Sequence, residues 1–484
     1  MGKFTEIAKM TTEQTTTENG AVAWATTGTS LVDLFGIVGA LRHNSCDEII
    51  AKFNDAYKED KLLALKMLFY ARNIRGGLGE RNTFRVILNH LAKTQPEVVL
   101  HNLENISLFG RYDDYYELVD TPCENQMWAY LKEVFTSDLE SMAKGEPITL
   151  LAKWLKSERT SSPKSRELAK KTIRAFGMSN VAYRKALVSL RAYLNVVEVN
   201  MSAKNWEAIE YANVPSKAMN MYRHAFADKD EARFQAYLDS LVKGETKINA
   251  STLYPYDIVD KILYGNENNT VLEEQWKALP NYVEGENNIL CIVDTSGSMH
   301  GRPLSAALGL GLYFAERNKG EFHNLFMTFS NRPNFVNIKG ETLYQKIRNM
   351  YKADWDMNTD FEKAFRKILN MGIRHNIPNE DMPKSLVVIS DMQFDSATSC
   401  DWDFYTTMRD AFHQAGYDMP NVVFWNATDY GRTTYHGRAN YQGVQMVSGY
   451  SAASFKTILA NIGKTPYEAM LSALNDPMYD CVVL

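Results

Sequence analysis

An aspartate and two serines hold alternate positions in NILCIVDTSGSM: Asp294, Ser296 and Ser298. All three present hard oxygen donors, and a curling extended loop can aim them at one point above a strand. Mg²⁺ takes six oxygen ligands at about 2.1 Å in octahedral geometry, so one carboxylate and two hydroxyls supply half of such a shell. Taken alone, D-x-S-x-S is a weak pattern that chance produces readily in a chain of 484 residues. Two later segments strengthen it. NTDFEKAF places Thr359 just ahead of a helical pattern whose apolar face is Phe361, Ala364, Phe365, Ile368 and Leu369, and SLVVISDMQF ends an apolar run in Asp391. Three loops therefore each offer oxygen ligands, in the order acid-Ser-Ser, Thr, acid. The competing reading is a set of helix-capping loops, a role that Asp and Ser also fill well.

Enzymatic readings of the first loop are weaker. A phosphoaspartyl nucleophile of the haloacid dehalogenase type needs D-x-D, but Ser296 takes the place of the second acid. A serine hydrolase needs G-x-S-x-G, whereas Ser298 lies in SGSMH, and the neighbouring His300 has the character of a solvated loop residue. The expectation is a protein without catalytic activity at this loop.

Such a constellation needs a rigid platform. From residue 286 onward, short β-rich runs alternate with helical ones: NILCIV, PLSAALGLGLYFAERN, NLFMTFS, FEKAFRKIL, SLVVIS, a helix near 403 to 415, and NVVFWN. That alternation predicts βαβ units and a mostly parallel sheet covered on both faces, with ligands at the carboxyl ends of its strands. Pro303 is suited to open the helix after the first loop. Before residue 285 the periodicity is helical almost throughout. In TFRVILNHLAK, Phe84, Ile87, Leu88 and Leu91 follow a helical spacing, as do Phe234, Tyr237, Leu238, Leu241 and Val242 in EARFQAYLDSLVKG, where Gly244 marks a C-terminal cap. Residues 1 to about 30 form a polar, Thr-rich lead, irregular or extended. The polar stretch NYVEGENN, residues 281 to 288, divides the two grammars, giving a helical domain over 1–285 and an α/β domain over 286–484.

The helical half carries a concentrated positive charge. Lys153 to Arg191 contains eleven basic residues against two acids, a local +9 in a chain of net charge −5. Lys164, Arg166, Lys170, Lys171, Arg174, Arg184, Lys185 and Arg191 are the candidate RNA contacts, since phosphate binding requires such a face. Trp154, Phe176, Tyr183 and Tyr193 are interleaved, and aromatic rings stack unpaired bases. The alternative is a solvated helix face with its aromatic residues turned to the core. In YARNIRGGLGERNTFR, Arg72, Arg75, Arg81 and Arg85 surround three glycines without the Lys-Ser/Thr of a phosphate loop. GGLG then reads as a tight turn before a helix beginning near Asn82 or Thr83.

Composition excludes other classes. No apolar run approaches twenty residues, which excludes a membrane span, and the first twenty residues lack the apolar core of a signal peptide. Glu6 breaks the myristoylation pattern. Five scattered cysteines without CxxC spacing fit free thiols in a reducing compartment, with the cytoplasm as the expected address.

The set Asp294-x-Ser296-x-Ser298, Thr359, Asp391 resembles the metal-ion-dependent adhesion site of von Willebrand factor A domains. The resemblance implies a Rossmann-like domain in which Ser296, Ser298 and Thr359 ligate Mg²⁺ or Mn²⁺ and Asp294 and Asp391 bind it directly or through water. An Asp or Glu from a protein partner then completes the shell. A helical domain followed by such a module resembles the Ro autoantigen family, whose TROVE domain is a ring of HEAT-like helical repeats. More closely, TENGAVAWATTGTSLVDLFGIVGALR, ARNIRGGLGERNTFR, VVISDMQFD and GYDMPNVVFWNAT resemble the family of domain of unknown function 2828. The fold class implied is multidomain α and α/β, an all-α HEAT-like domain followed by a Rossmann-like von Willebrand A domain. The function implied is non-enzymatic, Ro-like binding of small noncoding or misfolded RNA in a ribonucleoprotein. The alternative is a protein-interaction scaffold acting through the metal site without RNA. Oligomeric state is left open by the sequence.

Overall fold

A computed structural model describes residues 12–285, 288–329, 332–352, 360–395 and 404–484. The chain divides into two compact units, Met1–Thr83 with Ala250–Asp480, and Phe84–Asn249 with Cys481–Leu484.

The first unit holds a two-stranded hairpin, β1 (Gln14–Thr16) with β2 (Val22–Trp24), and a six-stranded sheet. The sheet contains β3 (Ile289–Asp294), β4 (Leu325–Phe329), β5 (Phe335–Asn337), β6 (Ser385–Ser390), β7 (Asn421–Asn426) and β8 (Val444–Ser448), in the spatial order β5-β4-β3-β6-β7-β8. Every neighbouring pair is parallel except β4 with β5. All residues of β3 and β6 are buried, as strands covered on both faces must be. β5, β8 and the hairpin carry no strong strand signal: β5 and both hairpin strands are three residues long, and β8 has a glutamine at its second position.

Helix Arg302–Arg317 covers one face, opening with Pro303 in its first turn. Gly311 lets it approach β3, because a Cβ there would lie 2.6 Å from the Cγ2 of Val293. Cys291, Val293, Ile389, Trp425, Val447, Tyr313 and Phe455 form the core of this face. The other face holds aromatic residues: Phe361 at the start of helix Phe361–His375 stacks on Phe394 at 4.9 Å and meets Phe365 at 4.8 Å.

Spatial packing divides the chain elsewhere than the change of sequence grammar near residue 285. Helix Pro255–Leu263 lies on helix Arg302–Arg317, where Gly309 admits Pro255 and Val259. Trp24 of β2 exchanges backbone hydrogen bonds with Tyr435 at 2.8 and 2.9 Å. Residues 30–72 add helices Ser30–Ile37, Cys46–Glu59 and Lys61–Arg72 to the same unit. Helical periodicity shows that a face is apolar; it does not state which surface that face meets.

The second unit is helical, with no strand among its described residues. Helix Asn82–Thr94 buries Phe84, Ile87, Leu88 and Leu91 as its spacing predicts. Helix Glu231–Val242 buries Phe234, Tyr237 and Leu241, whereas Val242 is 67% exposed, and Gly244 follows at φ +73. Trp128, Phe135, Phe176 and Tyr183 pack into one aromatic core cluster.

Candidate metal centre

Strand order places a topological switch at β3: the chain leaves it to β4 on one side and returns to β6 on the other. The carboxyl ends of β3 and β6 therefore border the crevice in which open α/β sheets bind ligands. Asp294 is the last residue of β3 and is fully buried; Asp391 follows β6 and is 4% exposed. Asp294 accepts at Oδ1 from the Ser296 N–H (2.8 Å) and at Oδ2 from the Ser390 hydroxyl (2.6 Å). Ser296 and Ser298 place their hydroxyl oxygens 3.1 Å apart toward the solvent side. Asp391 accepts at Oδ1 from the Gln393 N–H (3.2 Å), while its buried Oδ2 has no hydrogen-bond partner.

Two carboxylates in a dry site are electrostatically costly. Burial pushes the Asp294 carboxyl up, and the negative charge of Asp391 pushes it further. Burial likewise raises Asp391, with the nearby Ser298 hydroxyl and the Gln393 N–H acting against it. A cation would offset both effects and take the buried Oδ2 of Asp391 as a ligand, so the residues present fit a hard divalent ion. Among the described residues no group of three or more His, Cys, Asp or Glu could hold a metal, so any centre here depends on hydroxyl donors. Thr359 lies outside the described residues; the neighbouring Asp360 caps helix Phe361–His375, accepting from the Lys363 N–H.

Sequence reasoning passed over Ser390 and Gln393. Ser390 ends the apolar run immediately before Asp391, and a hydroxyl at that place was the available signal. Gln393 had none, because its role arises from contacts far along the chain.

The basic candidates divide. Lys164, Lys170 and Arg174 are exposed on helix Pro163–Phe176, Lys185 is exposed on helix Asn180–Tyr193, and none has an ion-pair partner among the described residues. The other four are engaged. Arg166 donates to the carbonyls of Thr160 and Ser161, Lys171 pairs with Asp120 at 2.5 Å, and Arg184 lies 3.9 Å from Glu158. Arg191 donates to Ala152 O, Leu155 O and Ser157 Oγ at 2.7–3.0 Å, and burial lowers its basicity. Phe176 and Tyr183 are core residues, and Trp154 lies under the Arg111 guanidinium at 4.0 Å. Of the four interleaved rings only Tyr193 is exposed. The GGLG segment is a tight turn before helix Asn82–Thr94: Leu78 N–H and Glu80 N–H return to the carbonyls of Tyr70 and Ala71.

Residues 17–133 and 148–288 match the family described as domain of unknown function DUF2828, and residues 288–475 match domain of unknown function DUF7788. Uncharacterized protein L728 of Acanthamoeba polyphaga mimivirus is 29% identical over 498 residues, covering 95% of this chain and 86% of that protein. The crystal structure of the Ro (RSR) protein of Deinococcus radiodurans aligns over 92% of each chain with TM-score 0.35 and 14% identity. No helix among the described residues is long and apolar enough to cross a membrane.

Proposed function

The chain belongs to the DUF2828 family, and within that family we propose that it is a non-enzymatic, Ro-like RNA-binding protein of the cytoplasm, a HEAT-like helical domain joined to a von Willebrand A-like domain. Asp294, Ser296, Ser298 and Asp391, with Thr359, hold Mg²⁺ or Mn²⁺. When bound, the ion supplies a positive site for a carboxylate of a protein partner. The observation that carries the metal reading is the pair of buried acids at the switch point, one with an unpartnered oxygen, beside two adjacent serine hydroxyls. RNA is held by phosphate contacts from Lys164, Lys170, Arg174 and Lys185, which are exposed on two helices of the second unit.

A second reading has its own observation. Arg166, Lys171, Arg184 and Arg191 are engaged within the protein, which halves the basic set and favours a protein-interaction scaffold that uses the metal site without RNA. One experiment separates the two: binding of a single-stranded RNA to nucleic-acid-free protein over a range of salt. RNA binding whose log affinity falls linearly with log salt supports the first reading. No salt-dependent binding rejects it in favour of the scaffold.

A further inference from the structure

Asp391 stands on a loop that is held from outside. Its successor Met392 has φ +66, a left-handed conformation uncommon for a residue with a side chain. Gln393 closes the turn through its N–H to Asp391 Oδ1, and its side chain spans two other segments. Gln393 Oε1 accepts from the N–H of Glu18, and Gln393 Nε2 donates to the carbonyl of Arg432, both at 2.9 Å. Asn19 Nδ2 donates to the Gln393 carbonyl at 2.7 Å, and the Thr17 hydroxyl to the Phe394 carbonyl at 2.5 Å. Gly20 forms an antiparallel bridge with Asp395, and Glu18 pairs with Arg432.

The turn that makes these contacts is itself ordered. Gly20 N–H donates to the Thr17 carbonyl (3.0 Å) and Ala21 N–H to the Thr17 hydroxyl (2.9 Å), while Thr17 is 3% exposed. β2 is anchored beyond it by the Trp24–Tyr435 backbone pair and by Arg438, whose guanidinium lies 4.9 Å from the Trp24 ring centre.

We infer that the β1–β2 turn, Thr17–Gly20, is a positioning element for the ion-binding carboxylate: through Gln393 and Phe394 it fixes where Asp391 points. Thr17 lies 377 residues from Phe394 in the chain, so the effect is a product of tertiary contact alone. The physical reason is preorganisation. Two buried carboxylates repel each other, and an unrestrained loop would turn Asp391 toward water; an ion would then have to order the loop as it binds. The inference rests on the metal reading above.

The test is Mn²⁺ titration of the full chain, with amide hydrogen exchange at Gln393 in EDTA. Thr17→Val removes both the bond to the Phe394 carbonyl and the one from the Ala21 N–H, and should weaken Mn²⁺ binding about fivefold or more. Gln393→Ala should weaken it more, and Thr17→Ser should restore it. Exchange at Gln393 should quicken in Thr17→Val while the thermal unfolding of the remainder of the unit is retained. Wild-type Mn²⁺ affinity in Thr17→Val overturns the inference and leaves the metal reading standing. A wild-type chain that binds no Mn²⁺ overturns the metal reading instead, and unchanged exchange at Gln393 overturns the clasp irrespective of metal.

Discussion

The Ser390 hydroxyl donates to Asp294 Oδ2 across 2.6 Å, joining the last residues of two adjacent parallel strands inside the sheet. The same oxygen accepts from the Met392 N–H at 3.1 Å, so one hydroxyl links the first acid of the candidate centre to the loop carrying the second. Ser390→Ala removes the donor and leaves Asp294 Oδ2 buried without one. The expected cost is about 1–3 kcal/mol of stability in metal-free urea unfolding at neutral pH. Wild-type stability would show that the bond contributes nothing.

Asp294→Ala and Ser296→Ala should each abolish Mg²⁺ or Mn²⁺ binding while the second, helical unit stays folded, because both residues lie in the first unit. Calorimetric titration with unchanged affinity in both variants would remove these residues from the centre.

The two kinds of basic residue should separate cleanly. The double charge reversal Lys170→Glu with Arg174→Glu should weaken RNA binding with little sequence preference and flatten its salt dependence, leaving thermal stability unchanged. Arg191→Gln should do the reverse. Its guanidinium satisfies two backbone carbonyls and a hydroxyl, and its loss should cost about 2 kcal/mol in a denaturant melt.

His436 gives the first unit an acid limit. Burial between Phe394 and Phe424 pushes its pKa down to about 4, against a single hydrogen bond to the Met392 carbonyl that favours the charged form. The unfolded chain takes up this proton near pH 6.5, before the folded chain does, so stability is fully present above that pH and declines as pH falls toward 4. The decline should total about 3 kcal/mol from this group. In His436→Gln the stability-versus-pH curve should flatten over the same window; a curve identical to wild type would assign the acid limit elsewhere.

Gly79 and Gly145 both have left-handed backbone, φ +67 and φ +75, but differ in surroundings. A Cβ on Gly79 would fall 1.7 Å from the Tyr254 hydroxyl, whereas one on Gly145 meets nothing within 4 Å. Gly145→Ala should cost about 1 kcal/mol, the strain of the backbone alone. Gly79→Ala must also displace Tyr254 and should cost about 3 kcal/mol or more in thermal unfolding.

Much of the fold was legible locally because local rules generate it. Four of the six sheet strands are built on apolar runs, ILCIV in β3, LFM in β4, LVVI in β6 and VVFW in β7, and the helices Asn82–Thr94 and Phe361–His375 follow their apolar spacing. Asp294, Ser296, Ser298 and Asp391 were legible for a related reason: a polar group directly after a buried strand is unusual, and parallel strands carry their ends to one rim. β5, β8 and the hairpin were not, since strands this short or this polar are defined by the partner they pair with.

Tertiary structure alone decided how those residues are used. Arg191 and Lys185 lie six positions apart on one helix and look alike in sequence, yet one is fastened to backbone carbonyls and the other faces water. Thr17 and Gln393 look like ordinary loop residues until a backbone bridge brings their loops together. Residue type and spacing determine which donors, acceptors and charges exist; long-range packing determines which are spent within the protein, because a group's partner is set by distance in space and leaves no period along the chain.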